Sequence, residues 1–288
     1  MAGHGESPLS HVIDHTNLEL PYWGFPYVWE IKLPSLGIFH VWTPFGRITL
    51  DLSLTRFMVT EVIAAVLVVL VIVPLARHVT RQHVTRGWFL NMFEAMVLFI
   101  RDQVARPAIG GHGADHYLPF LWTIFFFVLF NNLLGIIPGM ASATGNINVT
   151  AVLAFITLAT VIAAGMREMG AAGFWVGIVP HMDVPPLLKL FLWPMMFAIE
   201  VAGLLIKHTV LAVRLFANML AGHIVLAVIL GFILMARSLA PAVWASVTAA
   251  SVVGMIALSL LELFFAFLQA YIFTFLSALF IGSAVHPH

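Results

Sequence analysis

Hydrophobic residues in this chain are grouped into long uninterrupted runs. Three runs, residues 57–76, 117–139 and 147–165, each have the length of one membrane crossing, for which roughly 20 apolar residues suffice. Two later runs, residues 187–236 and 241–284, are much longer than one perpendicular crossing needs. Two long, strongly tilted helices, or helices that lie partly in the membrane plane, fit that length. The pattern therefore predicts about five membrane-crossing helices, of which the last two are long and strongly tilted.

Residues 87–105 have a helix-like pattern, but charged side chains interrupt it at Glu94, Arg101 and Asp102. A helix with an apolar face and a charged face typically lies in the plane of the membrane surface. We interpret this segment as an amphipathic helix on the cytoplasmic side, not as a further span.

The N-terminal segment differs from the rest because prolines divide it into short apolar pieces. Aromatic residues that favour the membrane interface occur at Tyr22, Trp23, Tyr27, Trp29 and Trp42. We predict an extracytoplasmic arm over residues 1–56, followed by a transmembrane domain over residues 57–288. The expected fold class is an all-α integral membrane protein.

Basic residues indicate the orientation of the chain in the membrane. They are concentrated after the first apolar run, at Arg77, Arg81, Arg86, Arg101 and Arg106. Cytoplasmic loops carry an excess of lysine and arginine, so residues 77–112 should be cytoplasmic and the N-terminus outside. Five crossings then leave the C-terminus in the cytoplasm.

Composition supports lipid as the solvent and excludes several functions. Hydrophobic residues make up 61% of the chain and charged residues only 9%, whereas soluble domains have about a quarter charged residues. The chain has no cysteine and a formal net charge of zero, which excludes thiol chemistry and gives no reason to expect nucleic acid. It has no GxxxxGK[ST] phosphate loop. We therefore expect no nucleotide site, cofactor or metal, and no enzymatic activity of the chain on its own.

Polar and ionisable residues interrupt the two long runs. They are Glu200, Lys207, His208, Arg214, Asn218 and His223 in the first run, and Glu262 and Gln269 in the second. A charge at membrane depth costs at least ~2.5 kcal/mol, so such residues are functional candidates by default.

Helical geometry groups these residues. At about 100° per residue, Glu200, Lys207, Arg214 and Asn218 share one helix face, while His223 points about 140° away from Glu200. Glu262 and Gln269 also share a face, because they are about two turns apart. The pattern suggests two polar environments separated by Arg214.

Arg214 carries the strongest functional signal because a guanidinium cannot lose its charge in a protein. A fixed cation attracts a carboxylate that moves past it and expels the bound proton or cation. It also blocks a continuous water wire through Coulomb repulsion. Histidine and glutamate can relay ions to and from such a place.

Structural interpretations remain open for most of these residues. Glu200 and Lys207 could snorkel to water near a helix end. His223 could be a hydrogen-bonded packing residue, and Gln269 an ordinary interhelical contact. Arg214 could form a silent ion pair with Glu262.

The same residues resemble a known family. RLFANMLAGH, residues 214–223, resembles the arginine segment of subunit a of the F-type ATP synthases, and Glu200 and Lys207 match its upstream polar positions. LELFFAFLQAYIFTFL, residues 261–276, resembles the closing signature of that family. FFFVLFNNLLGIIPG, residues 125–139, resembles its Asn-x-x-Gly-x-x-Pro turn.

The resemblance implies an ion-conducting subunit with two offset half-channels that deliver protons to and from a ring of c subunits. Arg214 would separate the half-channels and couple ion flow to rotation. Asn218, His223, Glu262 and Gln269 would line the outer half-channel; Glu200 and Lys207 would belong to the polar lining of the first long helix. The best-known bacterial pattern has glutamate and histidine exchanged at the positions of His223 and Glu262. Further partners would be the peripheral-stalk b subunits, the remaining ATP synthase subunits and membrane lipid. The long N-terminal arm resembles bacterial forms of this family, so we expect a prokaryotic plasma (inner) membrane.

Other functions predict features of their own. A secondary proton-coupled transporter, the main alternative, predicts an internal repeat and helices broken near the midplane. A membrane cytochrome predicts histidines on facing helices, but the last apolar run contains no histidine. An inert scaffold leaves Arg214 without explanation.

Overall fold

The computed structural model describes most of the chain apart from its first residues. The described residues are 17–20, 29–32, 35–43, 46–53, 55–81, 87–111, 113–137, 142–179 and 185–285.

The N-terminal arm contains two antiparallel pairs of β-strands. Strand β1 (Asn17–Leu20) pairs with β2 (Trp29–Lys32), with Asn17 opposite Lys32. Strand β3 (Ser35–Thr43) pairs with β4 (Gly46–Ser53), with Thr43 opposite Gly46. The sequence analysis did not predict these strands. Tyr22, Trp23 and Tyr27 lie outside the described residues.

The first span is helix α1 (Arg56–Arg81), which extends the predicted run by one turn at its C-terminal end. Helix α2 (Trp88–Phe99) continues through a π-helical segment (Ile100–Ala105) into the short helix α3 (Arg106–Ile109). This segment buries Phe93, Ile100 and Val104. It has one packed face, as the amphipathic interpretation requires; its position at the cytoplasmic membrane surface stays a prediction.

Asp102 links the π-helical segment to α3. Its carboxylate accepts hydrogen bonds from Arg101 Nε and Arg106 Nη1, both at 2.9 Å. The hydrogen bond from Arg101 is the main cause that lowers the pKa of Asp102 below its ordinary value. The two arginines and the aspartate are solvent-accessible, so their ion pairs contribute little to stability.

Two helices of similar length form the centre of the chain. Helix α4 (Ala114–Ile136) is shifted by three residues toward the N-terminus at both ends relative to the predicted run. Helix α5 (Ile147–Met169) begins at the predicted residue. A 3₁₀ turn (Ala143–Gly145) precedes α5. A short helix α6 (Ala171–Gly177), which the sequence analysis did not predict, follows α5.

The last hundred residues form two very long helices. Helix α7 (Pro186–Ala236) has 51 residues and α8 (Pro241–Val285) has 45. At 1.5 Å per residue, α7 is about 76 Å long, more than twice the ~30 Å thickness of the hydrocarbon core. Two long, tilted helices confirm the prediction for this region.

Five of the described helices are long and apolar enough to cross a membrane. They are α1, α4, α5, α7 and α8, and the segment from Trp88 to Ile109 is not among them. The prediction of an all-α membrane domain with five crossings is therefore confirmed, with the short strands of the arm added to it.

The chain packs as two compact groups of segments. The first group comprises Met1–Leu67, Leu129–Asn146 and Ala217–Phe267, and the second comprises Val68–Val128, Ile147–Phe216 and Leu268–His288. Each long helix therefore contributes one part to each group.

Packing within the second group joins α2 and α3 to the spans. The indole Nε1 of Trp122 on α4 donates to the Val97 carbonyl at 3.1 Å, and the rings of Phe93 and Phe126 are 5.8 Å apart. Gly282 on α8 lies directly against the Ala108 carbonyl. These contacts hold the amphipathic segment against α4 and the end of α8.

Candidate functional site

Glu262 of α8 lies directly against Gly222 of α7 within the first group. A Cβ atom added at Gly222 of α7 would collide with Oε1 of Glu262. The carboxylate therefore occupies the space that any larger residue at position 222 would fill. Both residues are half-buried, so the carboxylate is partly shielded from the surroundings of the chain.

A cavity of about 170 Å³ adjoins this contact. Its lining residues are Asn218, Met219, Ala221, Gly222, Val225, Leu258, Leu261, Glu262 and Phe265. Asn218 and Glu262 supply the polar side chains, and the remaining wall is apolar. The cavity is larger than one water molecule, and a water in it would need polar partners, which Asn218 and Glu262 supply. The site can therefore hold water next to an ionisable carboxylate.

Asn218 and Gly222 are one helical turn apart, which explains why they line the same cavity. His223 follows Gly222 and is half-buried, but it is not among the residues that line the cavity. The structure thus brings Asn218 and Glu262 together and places His223 on an adjacent face of α7.

Arg214 is exposed on the surface of α7 in the second group. It lies among apolar side chains that are also exposed, such as Val210 at 48% and Val213 at 47%. The described residues of this group form no ion pair with Arg214. A guanidinium among apolar side chains at membrane depth requires compensation from a partner or from water, because an isolated charge in lipid is costly.

The other two ionisable residues of this face differ in exposure. Lys207 is exposed and Glu200 is half-buried. They lie about two and four turns before Arg214, as the helical spacing predicts. The structure gives neither residue an ion-pair partner among the described residues of its group.

Gln269 on α8 is 5% exposed, and its amide Nε2 has no hydrogen-bond partner among the described residues. A buried amide that lacks a partner costs free energy unless water or another molecule satisfies it. This observation does not favour an ordinary interhelical hydrogen bond through that nitrogen.

His208 is the polar residue of α7 that the sequence analysis left without a role. It is 3% exposed, and its ring packs against Phe280 at a centroid distance of 5.0 Å. Its Nδ1 lies 2.8 Å from the Leu204 carbonyl, which fixes the proton on Nδ1, and Nε2 has no partner in the described chain.

Gly222 and the cavity are the features that sequence reasoning missed. The small residue before His223 is visible in the sequence, but its contact with Glu262 depends on the register between α7 and α8. No local pattern encodes that register.

The fold and these residues define a class of protein: a multi-pass membrane protein with ionisable groups at membrane depth. Residues 58–282 match the family model for the ATP synthase A chain. "ATP synthase subunit a" of Myxococcus xanthus is 44% identical over 83% of this chain and 76% of its own length. The proteins of that name from Chloroherpeton thalassium and Chlorobium phaeobacteroides are 42% and 40% identical, over 96% and 98% of this chain and 76% and 77% of their own lengths.

These matches cover most of the chain, from residues 58–282 for the family model to 98% of the chain for the relative from Chlorobium phaeobacteroides. The chain belongs to the ATP synthase subunit a family. It is therefore a multi-pass membrane subunit of the Fo sector that assembles with other ATP synthase subunits and has no catalytic site of its own.

Proposed function

We propose that this chain conducts protons through two offset half-channels, that Arg214 separates them, and that ion flow past Arg214 drives rotation of a c-ring. The observation that carries this proposal is Arg214, which is exposed on α7 next to exposed apolar side chains and has no ion-pair partner among the described residues of its group. A c-ring is a fitting partner because a carboxylate that the ring carries past Arg214 would compensate the charge of the guanidinium only while that carboxylate is ionised. A proton bound to that carboxylate would have to leave before the pair forms.

One half-channel would reach the cavity beside Glu262. Asn218 and Glu262 supply polar groups there, and His223 and Gln269 would extend the polar lining on α7 and α8. Glutamate and histidine both titrate at accessible pH, so they can exchange protons with water in the channel. Glu200 and Lys207 would extend the polar face of α7 on the N-terminal side of Arg214.

We further infer the orientation and the remaining partners. Arginines after the first span favour a cytoplasmic position for residues 77–112, an outer N-terminal arm over residues 1–56 and a cytoplasmic C-terminus. The membrane would be a prokaryotic plasma membrane. The stationary chain would also need peripheral-stalk b subunits to resist the torque of the ring.

The test is coupled transport in membrane vesicles that carry Arg214→Ala, with assembly verified by co-purification. We expect an assembled complex that neither pumps protons with ATP nor makes ATP from a proton gradient. Arg237→Ala is the matched control, because Arg237 is an exposed arginine in the turn after α7 and should be dispensable. Coupled transport in Arg214→Ala would reject the rotary mechanism and favour a proton-coupled transporter.

A further inference from the structure

A buried polar network lies between the end of α4, the 3₁₀ turn and α8. The amide of Asn132 donates a long hydrogen bond of 3.4 Å to the carbonyl of Ala266 on α8. The hydroxyl of Thr144 donates to Asn132 Oδ1 at 2.8 Å and is 2.8 Å from the hydroxyl of Ser142. All four residues are at most 2% exposed and belong to the first group of segments.

Gly135 explains why the turn can reach Asn132. Residues 132 and 135 lie on the same side of α4 because they are about one turn apart. A Cβ atom added at Gly135 would collide with the side chain of Ser142. The turn therefore packs directly on the last turn of α4, which brings Ser142 and Thr144 back to Asn132.

The network contacts α8 one turn from Glu262. Ala266 follows Glu262 by four residues, so the two lie on the same face, about 6 Å apart along the axis. A carbonyl in a helix already accepts the backbone N–H four residues later, and Asn132 uses its second lone pair. Hydrogen bonds in a water-free interior are strong, and a fully connected buried network favours one arrangement.

We propose that Asn132, Thr144 and Ser142 are positioning residues: they fix the height and rotation of α8 so that the Glu262 carboxylate stays against Gly222 and beside the cavity. This inference rests on the proposed role of Glu262 in proton transfer. Under this proposal, the polar residues at the end of α4 and in the 3₁₀ turn support proton transfer without contact with the transported proton.

Removal of single members of the network tests the proposal. Thr144→Val removes the hydroxyl at nearly constant shape, and Asn132→Leu also removes the contact with α8. Thr144→Ser keeps the hydroxyl. The matched control is Thr157→Val, because Thr157 is equally buried but its hydroxyl donates to Leu153 of its own helix at 3.0 Å.

Two readouts are needed in the assembled complex. The first is the pH profile of ATP-driven proton pumping in vesicles. The second is the rate of disulfide formation between Ala221→Cys and Leu261→Cys, two positions on either side of the cavity. The chain has no natural cysteine, so within it these thiols can react only with each other. The disulfide rate reports the α7–α8 geometry whether or not the complex transports protons.

We expect Thr144→Val and Asn132→Leu to lower pumping roughly tenfold or more, since a displacement of about 1 Å can cost a factor of ~100. They should also change the pH profile and the disulfide rate. Thr144→Ser and Thr157→Val should match the parent in both readouts. If Thr144→Val fails to assemble, Ser142→Ala, which removes only the outer hydroxyl, should show the same changes in milder form.

An unchanged disulfide rate and pH profile in all network variants would overturn the proposal. So would an equal loss in Thr157→Val, because any buried hydroxyl would then have the same effect. A changed disulfide rate without any loss of pumping would show that the network positions α8 but that proton transfer does not depend on this positioning. Failure of the half-channel mechanism itself is detected separately with Arg214→Ala.

Discussion

The carboxylate of Glu262 lies against the backbone of Gly222, in the space that a side chain at position 222 would occupy. A larger residue at position 222 would thus displace the Glu262 carboxylate, whereas the regular helix backbone of α7 at this position would accept it. The contact places an ionisable group at the wall of a cavity that it shares with Asn218.

Gly222→Ala should therefore displace the Glu262 side chain. The added methyl would collide with Oε1, so the flexible carboxylate has to move away from the cavity wall. We expect proton pumping driven by ATP to fall roughly tenfold in an assembled complex, because proton transfer depends on correct placement of the group.

Gly231→Ala on the same helix is the control for Gly222→Ala. A methyl group at position 231 would meet no atom within 4 Å, so this variant should pump like the parent. Equal activity of Gly222→Ala and Gly231→Ala would show that the position of the Glu262 carboxylate does not limit transport.

The exchange of histidine and glutamate between positions 223 and 262 gives a second prediction. Either single change, His223→Glu or Glu262→His, leaves two like groups and should lower pumping strongly. The double variant restores one acid and one imidazole, so it should pump better than the product of the two single effects. Independent sites are additive and coupled ones are not, so strictly additive losses would argue against a functional pair.

Much of the fold could be predicted because lipid imposes simple rules on the sequence. The apolar runs predicted the positions of α1, α4, α5, α7 and α8. A segment inside the bilayer must satisfy its backbone hydrogen bonds internally, so it forms a helix. The strands of the arm and the short helix α6 were missed because no equally strong rule applies to segments too short to span the bilayer. Their apolar pieces were too short to distinguish helix from strand.

The candidate site was predictable only in part. Arg214 and Glu262 stood out because charges are costly at membrane depth. The contact of Glu262 with Gly222, and that of Asn132 with Ala266, join residues far apart in sequence, so only the packed structure reveals them. Arg214 is exposed and has no ion-pair partner among the described residues of its group, so contacts within the described chain do not reveal its role.

His208→Leu should leave the subunit as stable as the parent or stabilise it. The buried Nε2 of His208 has no partner in the described chain, and an unsatisfied buried polar atom costs about 1–3 kcal/mol. Leucine would remove that cost but also the Nδ1 contact with the Leu204 carbonyl, so the net change should lie between zero and ~2 kcal/mol of stabilisation. Thermal release of the subunit from the detergent-solubilised complex measures it.

Phe280→Ala provides the comparison for His208→Leu. It removes the ring that packs against His208. Phe280 is half-buried, so its truncation should cost less than the about 3–5 kcal/mol that is typical of a fully buried aromatic residue. Release of the subunit should therefore occur at a lower temperature. Strong destabilisation by His208→Leu would instead indicate that Nε2 has an essential partner, such as a bound water or another subunit.

Gly282→Ala should disrupt the packing of α8 against α3. A Cβ atom at position 282 would collide with the carbonyl oxygen of Ala108, and a backbone atom cannot rotate away as a side chain can. Overpacking of this kind costs about 1–3 kcal/mol or more, so we expect less subunit in the membrane and faster proteolysis of the α2–α3 segment. Gly113→Ala is the control, since its methyl would make only ordinary contacts with Ile109 at 3.7 Å. Equal membrane levels and protease resistance for the two variants would mean that α3 can move away from α8 at little cost, and that the contact does not hold the amphipathic segment in place.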